Sequence, residues 1–525
     1  MTKPSMQALQ HAVASEMERR EWAQAALTAA ICRTQYPDDA SGWLLGSFVA
    51  LLADDKQAAL TLVEERLTVE PGHLPCLLQR AECLLALGRR TDALAAADAA
   101  CARAEGDASA LTAIAAFLVH AREHARAVSV YDRAITAAPD DAALKSRRAD
   151  VQCFLGAFDL AALDYDSVLA VDGANAEALK ALSELERQTA DHNSIARLEA
   201  ALARNPDDRA QSIPLHFALA RAYESVRDHS ASWRHVSTGN ALERAQMRYQ
   251  PSQDRAVIDR LICAFPDLEP TAPDTTEERP IFIVGLPRTG TTLLERIVGS
   301  HSQVHPAGEL SAFSEAVSAI LDRERPVEQL DWVEFAALLG GVDAASLAAE
   351  YRARSQVWRG DKARFTDKQP TNFYYCPLIL RAFPRACILH VTRHPLAASY
   401  AIYKTRFRGT YPFAYELGEL ADFYIAYRRM MSHWHRILPG RILDVAYEDI
   451  VSAQKSTTRM VLDFCGLDFE EACLDFHRNP ATVTTSSVVQ VRQPLYDSSL
   501  EQWRHYEREL APVRERLQAA GIAVN

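Results

Sequence analysis

The chain has 525 residues, which is more than one ordinary domain and predicts two to four. Hydrophobic residues make up 48% and charged residues 24%, a balance that is typical of folded globular protein and argues against a disordered chain. The net charge of −12 argues against broad binding to nucleic acid or to an anionic membrane, so an anion site must be local. The sequence shows no secretory signal and no apolar run near the ~20 residues that span a bilayer, so we expect a cytoplasmic protein without a membrane span.

Two sets of residues in the first part of the chain recur every 34 residues. One set lies in polar phrases such as YPDDA and APDDA, and the other consists of alanines in apolar stretches: Pro37, Pro71, Glu105, Pro139 and Gly173, and Ala25, Ala59, Ala93, Ala127 and Ala161. Alanine at a fixed place suits two closely packed helices. The pattern resembles the tetratricopeptide repeat family, whose helix pairs bury their apolar faces by stacking on neighbours. The register slips after about residue 190, and we predict a helical array, an α-solenoid, over residues 1–250.

The array has two interpretations from the sequence. Solenoids present a concave face, so one expectation is that the array holds an acceptor peptide or protein. The other is a scaffold for solubility or dimerisation, and oligomerisation stays open. Residues 251–279 include the proline-rich and acidic phrase CAFPDLEPTAPDTTEER without helical periodicity, so we predict a linker there.

Residues 280–525 have the alternating pattern of an α/β domain. The β-rich runs IFIVG, RFTDK, ACILHVT and RILDVAY are each followed by a helical stretch, which predicts a parallel sheet covered by helices. Ligands bind beyond the carboxyl ends of the strands in such sheets. Arg288, Lys368, Arg393 and Tyr447 each lie at or just past a predicted strand end, so we expect a site there.

The segment IFIVGLPRTGTT has the outline of a phosphate-binding loop, but Thr291 stands where a nucleotide-hydrolysing P-loop has its lysine. Backbone N–H groups of residues 288–292 and the start of the following helix predict a cradle for one phosphate or sulfonate group. The hydroxyls of Thr289, Thr291 and Thr292 would add donors. Without the lysine a triphosphate loses its usual clamp, so a donor with a shorter 5′ anion chain and no metal fits better.

Five motifs in order, VGLPRTGTTLLE, TDKQP, VTRHPLAASYAIYK, AYEDI and SSVVQVRQP, resemble the sulfotransferase family. Within it, the chain is similar to tyrosylprotein sulfotransferases and to bacterial sulfotransferases fused to tetratricopeptide repeats. The resemblance covers about residues 280–510. It implies a P-loop-like α/β fold and the donor 3′-phosphoadenosine 5′-phosphosulfate, with no metal.

The resemblance also implies which residues bind the donor. The 5′-phosphosulfate would lie against Arg288, Thr289, Gly290, Thr291 and Thr292. Arg393 would bind the 3′-phosphate, because a guanidinium suits bidentate phosphate contact. The family's serine eight residues further on is replaced by Ala401, so Ser399 or Arg492 is expected to complete this contact. Tyr447 matches a tyrosine near the adenine.

For the chemistry, the resemblance implies that Glu309 in VHPAGEL is the base that takes the acceptor proton. His301 and His305 are competing bases. Lys368 matches a lysine beside the bridging oxygen, and Arg288 is a further catalytic cation. Ser487 matches a serine that assists the leaving phosphate, with neighbouring Ser486 as the alternative.

Two other classes of function stay open at this point. A phosphotransferase should carry the loop lysine and acidic magnesium ligands, for which Asp444 is the one acid well placed on a strand. A scaffold with an inactive domain would tolerate loss of Glu309, Lys368 or Arg393, yet all three are present. The acceptor hydroxyl is also open between a protein tyrosine, which the resemblance favours, and a carbohydrate, a lipid or a small phenol.

Overall fold

The computed structural model of the chain contains two compact units. It describes residues 4–186, 188–204, 206–267, 278–323, 325, 327–479, 481–484, 488–495 and 497–524. One unit comprises Met1–Leu155 and Arg352–Val357, and the other comprises Gly156–Tyr351 and Trp358–Asn525.

Most of the first unit consists of consecutive helices that contact their neighbours along the chain. They are α1 (Met6–Glu18), α2 (Trp22–Gln35), α3 (Ser41–Leu52), α4 (Lys56–Val69), α5 (Leu74–Ala86), α6 (Arg90–Arg103), α7 (Ala108–His120), α8 (His124–Ala137) and α9 (Ala142–Leu155). The second helix of each successive pair begins 34 residues after the last, at Trp22, Lys56, Arg90 and His124. The predicted helical repeat is therefore confirmed.

The repeating residues have distinct structural tasks. The five repeating alanines are each fully buried, as expected where a larger side chain would push two helices apart. The polar phrases supply helix N-caps: the Asp107 carboxylate accepts from the Ala110 N–H at 3.0 Å, and the Asn175 side chain accepts from the Ala178 N–H at 3.0 Å. A cap of this kind contributes about 1 kcal/mol to helix stability.

The second unit begins with further helices. They are α10 (Phe158–Val171), α11 (Ala176–Leu185), α12 (Ile195–Arg204), α13 (Arg209–Ser225), α14 (His229–Arg244) and α15 (Pro251–Ala264). Residues 251–264, which we predicted as linker, are thus helical, because Ile258 and Leu261 lie three positions apart and are both buried in the core of this unit. Residues 268–277 of the predicted linker lie outside the described residues.

Five parallel strands form one sheet in the order β2-β3-β1-β4-β5. They are β1 (Ile281–Gly285), β2 (Val304–Pro306), β3 (Arg364–Asp367), β4 (Cys387–Thr392) and β5 (Ile442–Ala446). Ile283 pairs with Leu389, and Leu389 pairs with Leu443. The predicted parallel sheet is confirmed, with β2 as a strand that the sequence did not reveal.

Helices cover both faces of the sheet. They are α16 (Thr291–Gly299), α17 (Ala312–Asp322), α18 (Trp332–Leu338), α19 (Ala344–Ser355), α20 (Cys376–Ala382), α21 (Pro395–Tyr403), α22 (Leu417–Ile437), α23 (Tyr447–Ser452), α24 (Gln454–Cys465), α25 (Ser498–Glu501) and α26 (Ala511–Ala519). Phe282 and Val284 of β1 belong to one core together with Phe217 of α13. Ile281 and Ile283 belong to a second core with α16 and α24. Burial on both faces explains the continuous apolar run of β1.

Among the helices that the structure describes, none alone is long and apolar enough to cross a membrane. The pair Trp332–Gly341 and Ala344–Trp358 reaches the required length and composition only together, with a bend of 113° between its members.

Candidate active site

Four residues with reactive or charged groups follow neighbouring strands of the sheet. The loop with Arg288 follows β1, Lys368 follows β3, Arg393 follows β4 and Tyr447 follows β5. The strand order makes these four strands consecutive, and the direction of winding reverses at β1. Open parallel sheets bind ligands at such a reversal. The structure therefore brings these residues to one edge of the sheet.

The loop after β1 has a conformation suited to binding an anion with its backbone. Arg288 has φ of 65° and Gly290 has φ of 109°, both in the left-handed region. Helix α16 begins at Thr291, and the first N–H groups of a helix have no partner within the helix. A Cβ atom at Gly290 would lie 2.6 Å from Cδ2 of Tyr447, so glycine is required for the ring to pack on the loop.

A cavity of about 650 Å³ opens beside this loop. The predicted site residues that line it are Arg288, Gly290, Thr291, Thr292, Glu309, Arg393 and Tyr447. Helices α11, α13 and α14 line it as well, through Glu184, Phe217, Glu224 and Ser232 among others. The α/β domain and the last helices of the array therefore build the cavity together.

Arg393 is fixed at the cavity wall by three contacts. Its Nη1 donates to the Arg288 carbonyl at 3.1 Å, and its Nη2 donates to the Ser499 carbonyl at 2.7 Å. Its guanidinium carbon lies 4.6 Å from the centre of the Tyr447 ring. The Tyr447 hydroxyl is in turn 2.7 Å from Oγ of Ser499. A cation and an aromatic face are thereby held side by side.

Glu309, a second charged residue of the cavity lining, forms an ion pair with Lys368. The Lys368 side chain is fully buried, whereas Glu309 is 45% exposed and lines the cavity. The Lys368 backbone N–H donates to the Gly308 carbonyl at 3.0 Å, which ties the segment after β3 to the loop that carries Glu309. Lys368 is fully buried and is not among the residues that line the cavity.

Glu295 of α16 supports the same loop, although we did not predict it from the sequence. Its Oε1 accepts from the Gly308 N–H and from the Thr366 hydroxyl, both at 2.9 Å. Burial raises the pKa of Glu295, against the opposing effect of the Lys368 charge. The signal in the sequence is weak, because a Glu in an amphipathic helix usually faces solvent.

A second buried acid lies next to the ion pair. Asp367, the last residue of β3, is fully buried and accepts from the Tyr351 hydroxyl at 2.9 Å and from the Asn372 amide at 3.3 Å. Burial raises the pKa of Asp367 to about 7. The Lys368 charge partly offsets the effect of burial on the pKa of both acids, Asp367 and Glu295.

The array helices also hold the segment that follows α21. Arg406 pairs with Glu243 of α14 at 3.2 Å and with Glu177 of α11 at 2.9 Å. The buried Asn240 amide of α14 donates to the Tyr403 carbonyl at 2.8 Å. These contacts fix residues 404–411, several of which line the cavity.

Three residues predicted to contact the donor are not among those that line the cavity. The Thr289 hydroxyl donates at 2.7 Å to a carbonyl three residues earlier in its own loop. Ser399 is fully buried, and its hydroxyl donates at 2.8 Å to the carbonyl one turn earlier in α21. The Arg492 side chain lies against Gly156. We therefore leave these three side chains out of the proposed donor site.

The competing bases are also away from the cavity. His301 is 1% exposed, and its Nε2 lies 3.0 Å from the Asp468 carbonyl. His305 lies in β2 with its ring against Gly360. Glu309 is thus the candidate base that lines the cavity. Ser487 and Ser486 lie outside the described residues.

One group of three side chains in the described part of the chain could hold a metal ion by its geometry: His390, His435 and Asp444. Nδ1 of His390 lies 2.6 Å from Oδ1 of Asp444, and Nε2 of His435 lies 2.9 Å from the same oxygen. These residues do not line the cavity. Asp444, the acid considered for magnesium, is therefore engaged elsewhere on the sheet.

Comparison with known proteins places these features in a family. Residues 280–471 match the model of the sulfotransferase family. An uncharacterized protein of Aquifex aeolicus (strain VF5) is 32% identical over 349 residues, which are 64% of this chain and 45% of the relative. A Caenorhabditis briggsae protein, provisionally named a protein-tyrosine sulfotransferase, is 23% identical over 206 residues, 38% of this chain and 70% of the relative. The chain thus spans less than half the length of the Aquifex relative.

Among solved structures, the sulfotransferase domain from the Synechococcus PCC 7002 olefin synthase is similar, with 22% identity and a TM-score of 0.34. The match covers 49% of this chain and 100% of that domain. The family match spans all five strands of the sheet and includes Arg288, Glu309, Lys368 and Arg393. Residues 280–471 therefore form a domain of the sulfotransferase family, in a chain whose earlier part is a helical repeat array.

Proposed function

We propose that the chain transfers a sulfuryl group from 3′-phosphoadenosine 5′-phosphosulfate to an acceptor hydroxyl. The observation that carries the proposal is the position of the 288–292 loop, Glu309, Arg393 and Tyr447 around one cavity, within a domain of the sulfotransferase family. Thr291 in place of a loop lysine favours a donor with a short 5′ anion chain over a nucleoside triphosphate.

The donor would lie across the ends of β1, β4 and β5. The backbone N–H groups at the start of α16 would bind its 5′-phosphosulfate. Arg393, held between the Arg288 and Ser499 carbonyls, would bind its 3′-phosphate, and the Tyr447 ring would lie beside its base. The Arg288 side chain donates to Gln490 Oε1 at 3.0 Å, which keeps a second guanidinium at the cavity wall.

Glu309 would act as the general base of an in-line transfer. As the acceptor oxygen forms a bond to sulfur, its proton passes to the Glu309 carboxylate, and the bond between sulfur and the bridging phosphate oxygen breaks. The products are a sulfate ester and 3′-phosphoadenosine 5′-phosphate. Negative charge grows on the bridging oxygen, where positioned cations stabilise the transition state most.

Lys368 would serve this reaction in two ways. The family resemblance assigns it to the bridging oxygen, and that assignment stays a prediction. Its ion pair with Glu309 supports a second task, which is to hold the base as a carboxylate turned toward the cavity. The Glu295 hydrogen bonds to Gly308 and Thr366 would keep the supporting loop in place.

The aromatic side chains of the cavity wall favour an aromatic acceptor. Phe217, Phe407 and Tyr411 line the cavity together with Glu309. Burial raises the pKa of Tyr411, and the Glu309 charge adds to this rise. We therefore propose a phenolic hydroxyl as acceptor. The first candidate within this class is a tyrosine of a polypeptide held by the helical array.

The test is incubation of the full chain with donor labelled with ³⁵S and a panel of acceptors: a small phenol, a tyrosine peptide, a sugar and a fatty alcohol. Label transfer to the phenol or the peptide, with release of 3′-phosphoadenosine 5′-phosphate, would support the proposal. Transfer to the sugar or the alcohol alone would overturn the phenolic acceptor and keep the donor. Phosphate transfer from ATP to any of these acceptors, without sulfate transfer, would contradict the proposal as a whole.

A further inference from the structure

A carboxylate of the helical array reaches the cavity that we assign to the donor. Glu224 of α13 lines the cavity, and its side chain is 11% exposed. The Tyr400 hydroxyl donates to its Oε1, and the Tyr506 hydroxyl donates to the same oxygen at 3.4 Å. The Lys404 ammonium lies 3.0 Å from its Oε2. This acid therefore belongs to a network that includes both the array and the α/β domain.

Lys404 is a neighbour of Arg393 on the cavity wall. Its Nζ donates to Gln502 Oε1 at 2.7 Å, and Arg393 donates to the Ser499 carbonyl at 2.7 Å. Ser499 and Gln502 are three residues apart in consecutive helical turns, so the two cations contact one short segment. Lys404 is 30% exposed and lines the cavity.

The charges around Lys404 indicate that this wall attracts an anion. Burial lowers the pKa of Lys404, Glu224 opposes this effect, and the charges of Arg393 and Arg288 lower the pKa further. Three cations thus line the same wall with Glu224 as the acid bonded to Lys404. A bound phosphate would relieve the repulsion among them, because like charges in a partly buried site are weakly screened.

We propose that Lys404 is the second cation for the 3′-phosphate of the donor and that Glu224 is its positioning residue. This inference rests on the proposed function. It accounts for position 401, where alanine lines the cavity without a polar group, and for Ser399, whose hydroxyl is used within α21. It also gives the last helices of the array a direct part in donor binding.

The inference is tested with the full chain by calorimetry at one ionic strength, with two nucleotides that differ only in the 3′-phosphate. These are 3′-phosphoadenosine 5′-phosphate and adenosine 5′-phosphate. The Kd of adenosine 5′-phosphate divided by the Kd of 3′-phosphoadenosine 5′-phosphate is a ratio that measures recognition of the 3′-phosphate. Lys404→Met should lower the ratio by about 10- to 100-fold, the value of a charge-assisted hydrogen bond. Lys404→Arg should restore most of it. The Kd of adenosine 5′-phosphate should stay nearly unchanged in both variants.

Glu224→Gln should lower the ratio in the same direction, because Lys404 loses the charge that holds it. The double variant should lower it no further than Lys404→Met alone, since coupled residues act through one interaction. Lys455→Ala is the control, because it removes one positive charge from an exposed pair with Glu471 on the surface. Thermal unfolding of each variant verifies that the fold is kept.

Three results would overturn the inference. The first is an unchanged ratio in Lys404→Met, and the second is additive effects in the double variant. The third is a higher ratio in Glu224→Gln, which would make Glu224 a competitor of the phosphate. If the unaltered chain itself shows no preference for the 3′-phosphorylated nucleotide, the proposed donor is wrong and the inference falls with it. Failure of the inference and failure of the proposed function are therefore distinguishable.

Discussion

The buried ammonium of Lys368 is paired with the Glu309 carboxylate, although the two residues lie 59 positions apart in the chain. Both residues lie past the carboxyl ends of parallel strands. Glu309 follows β2, and Lys368 follows β3. The pair joins a candidate base that lines the cavity to a cation that is fully buried. The arrangement predicts that chemistry and donor binding can be separated by substitution.

Glu309→Gln should keep donor binding and lower turnover by roughly two to four orders of magnitude, the contribution of a positioned general base. Glutamine keeps the size of the side chain and an oxygen that can accept from Lys368, but it cannot take the acceptor proton. The measurements are initial rates with labelled donor and calorimetry with 3′-phosphoadenosine 5′-phosphate. Glu315→Gln, an acid of α17 outside the cavity lining, serves as control. Unchanged turnover in Glu309→Gln would assign the base to another residue.

Glu295 should be needed as a hydrogen-bond acceptor rather than as a charge. Glu295→Ala leaves the Gly308 N–H and the Thr366 hydroxyl without their acceptor, and we expect the free energy of unfolding to fall by about 2 kcal/mol or more. Turnover should fall as well, because Gly308 precedes the candidate base. Glu295→Gln keeps an oxygen in the same place and should retain most of both. Denaturant unfolding and initial rates check this, and equal losses in the two variants would argue against it.

Asp367 should make stability depend on pH. It keeps its proton up to about pH 7 in the folded chain, whereas an unfolded aspartate loses its proton near pH 4. The folded state therefore binds more protons between these values, so the free energy of unfolding should fall as pH rises from about 4 to 7, by at most ~1.4 kcal/mol per pH unit from this group. Asp367→Asn should remove this component. The free energy of unfolding of the variant should therefore rise relative to that of the unaltered chain as pH rises.

Urea unfolding of both proteins at several pH values between 5 and 8 measures the effect. The informative quantity is the difference between the two free energies of unfolding, because other titrating groups cancel in it. A difference that stays constant over this range would show that Asp367 is ionised in the folded chain throughout.

The core of the second unit determines where the chain can be shortened. Phe217, Val236 and Leu261 belong to the same core as Phe282 and Val284 of β1. A fragment that starts near residue 275 lacks the first three and should lose cooperative unfolding, whereas a fragment of residues 156–525 should fold and bind 3′-phosphoadenosine 5′-phosphate. Circular dichroism melts and calorimetry compare the two. Equal binding by the shorter fragment would show that α13 to α15 are dispensable.

Much of the fold could be predicted because its signals are local. The 34-residue period places each buried alanine at the same point of a helix pair, and the apolar runs of β1 and β4 are long enough to identify as strands. Strand β2 has three residues and no apolar run, so its signal is too short. The start of α15 was obscured by the proline-rich phrase that follows it.

The site could be predicted in part, for a related reason. Arg288, Arg393 and Tyr447 follow strand ends, and parallel strands bring their carboxyl ends to one edge whatever the rest of the chain does. Glu224 lies 180 positions before its partner Lys404, and no local pattern marks such a contact. Ser399 is suitable by position alone, but a serine in a helix readily donates to the carbonyl one turn earlier.

The donor itself is the central claim, and it can be tested without knowledge of the acceptor. Calorimetric titration of the full chain with 3′-phosphoadenosine 5′-phosphate and with ATP, each with and without magnesium, measures the preference directly. We expect tight binding of the first nucleotide with no need for magnesium, and weak binding of ATP, because Arg393 would read the 3′-phosphate and Thr291 replaces the loop lysine. Equal affinity for the two nucleotides, or binding that requires magnesium, would contradict the account.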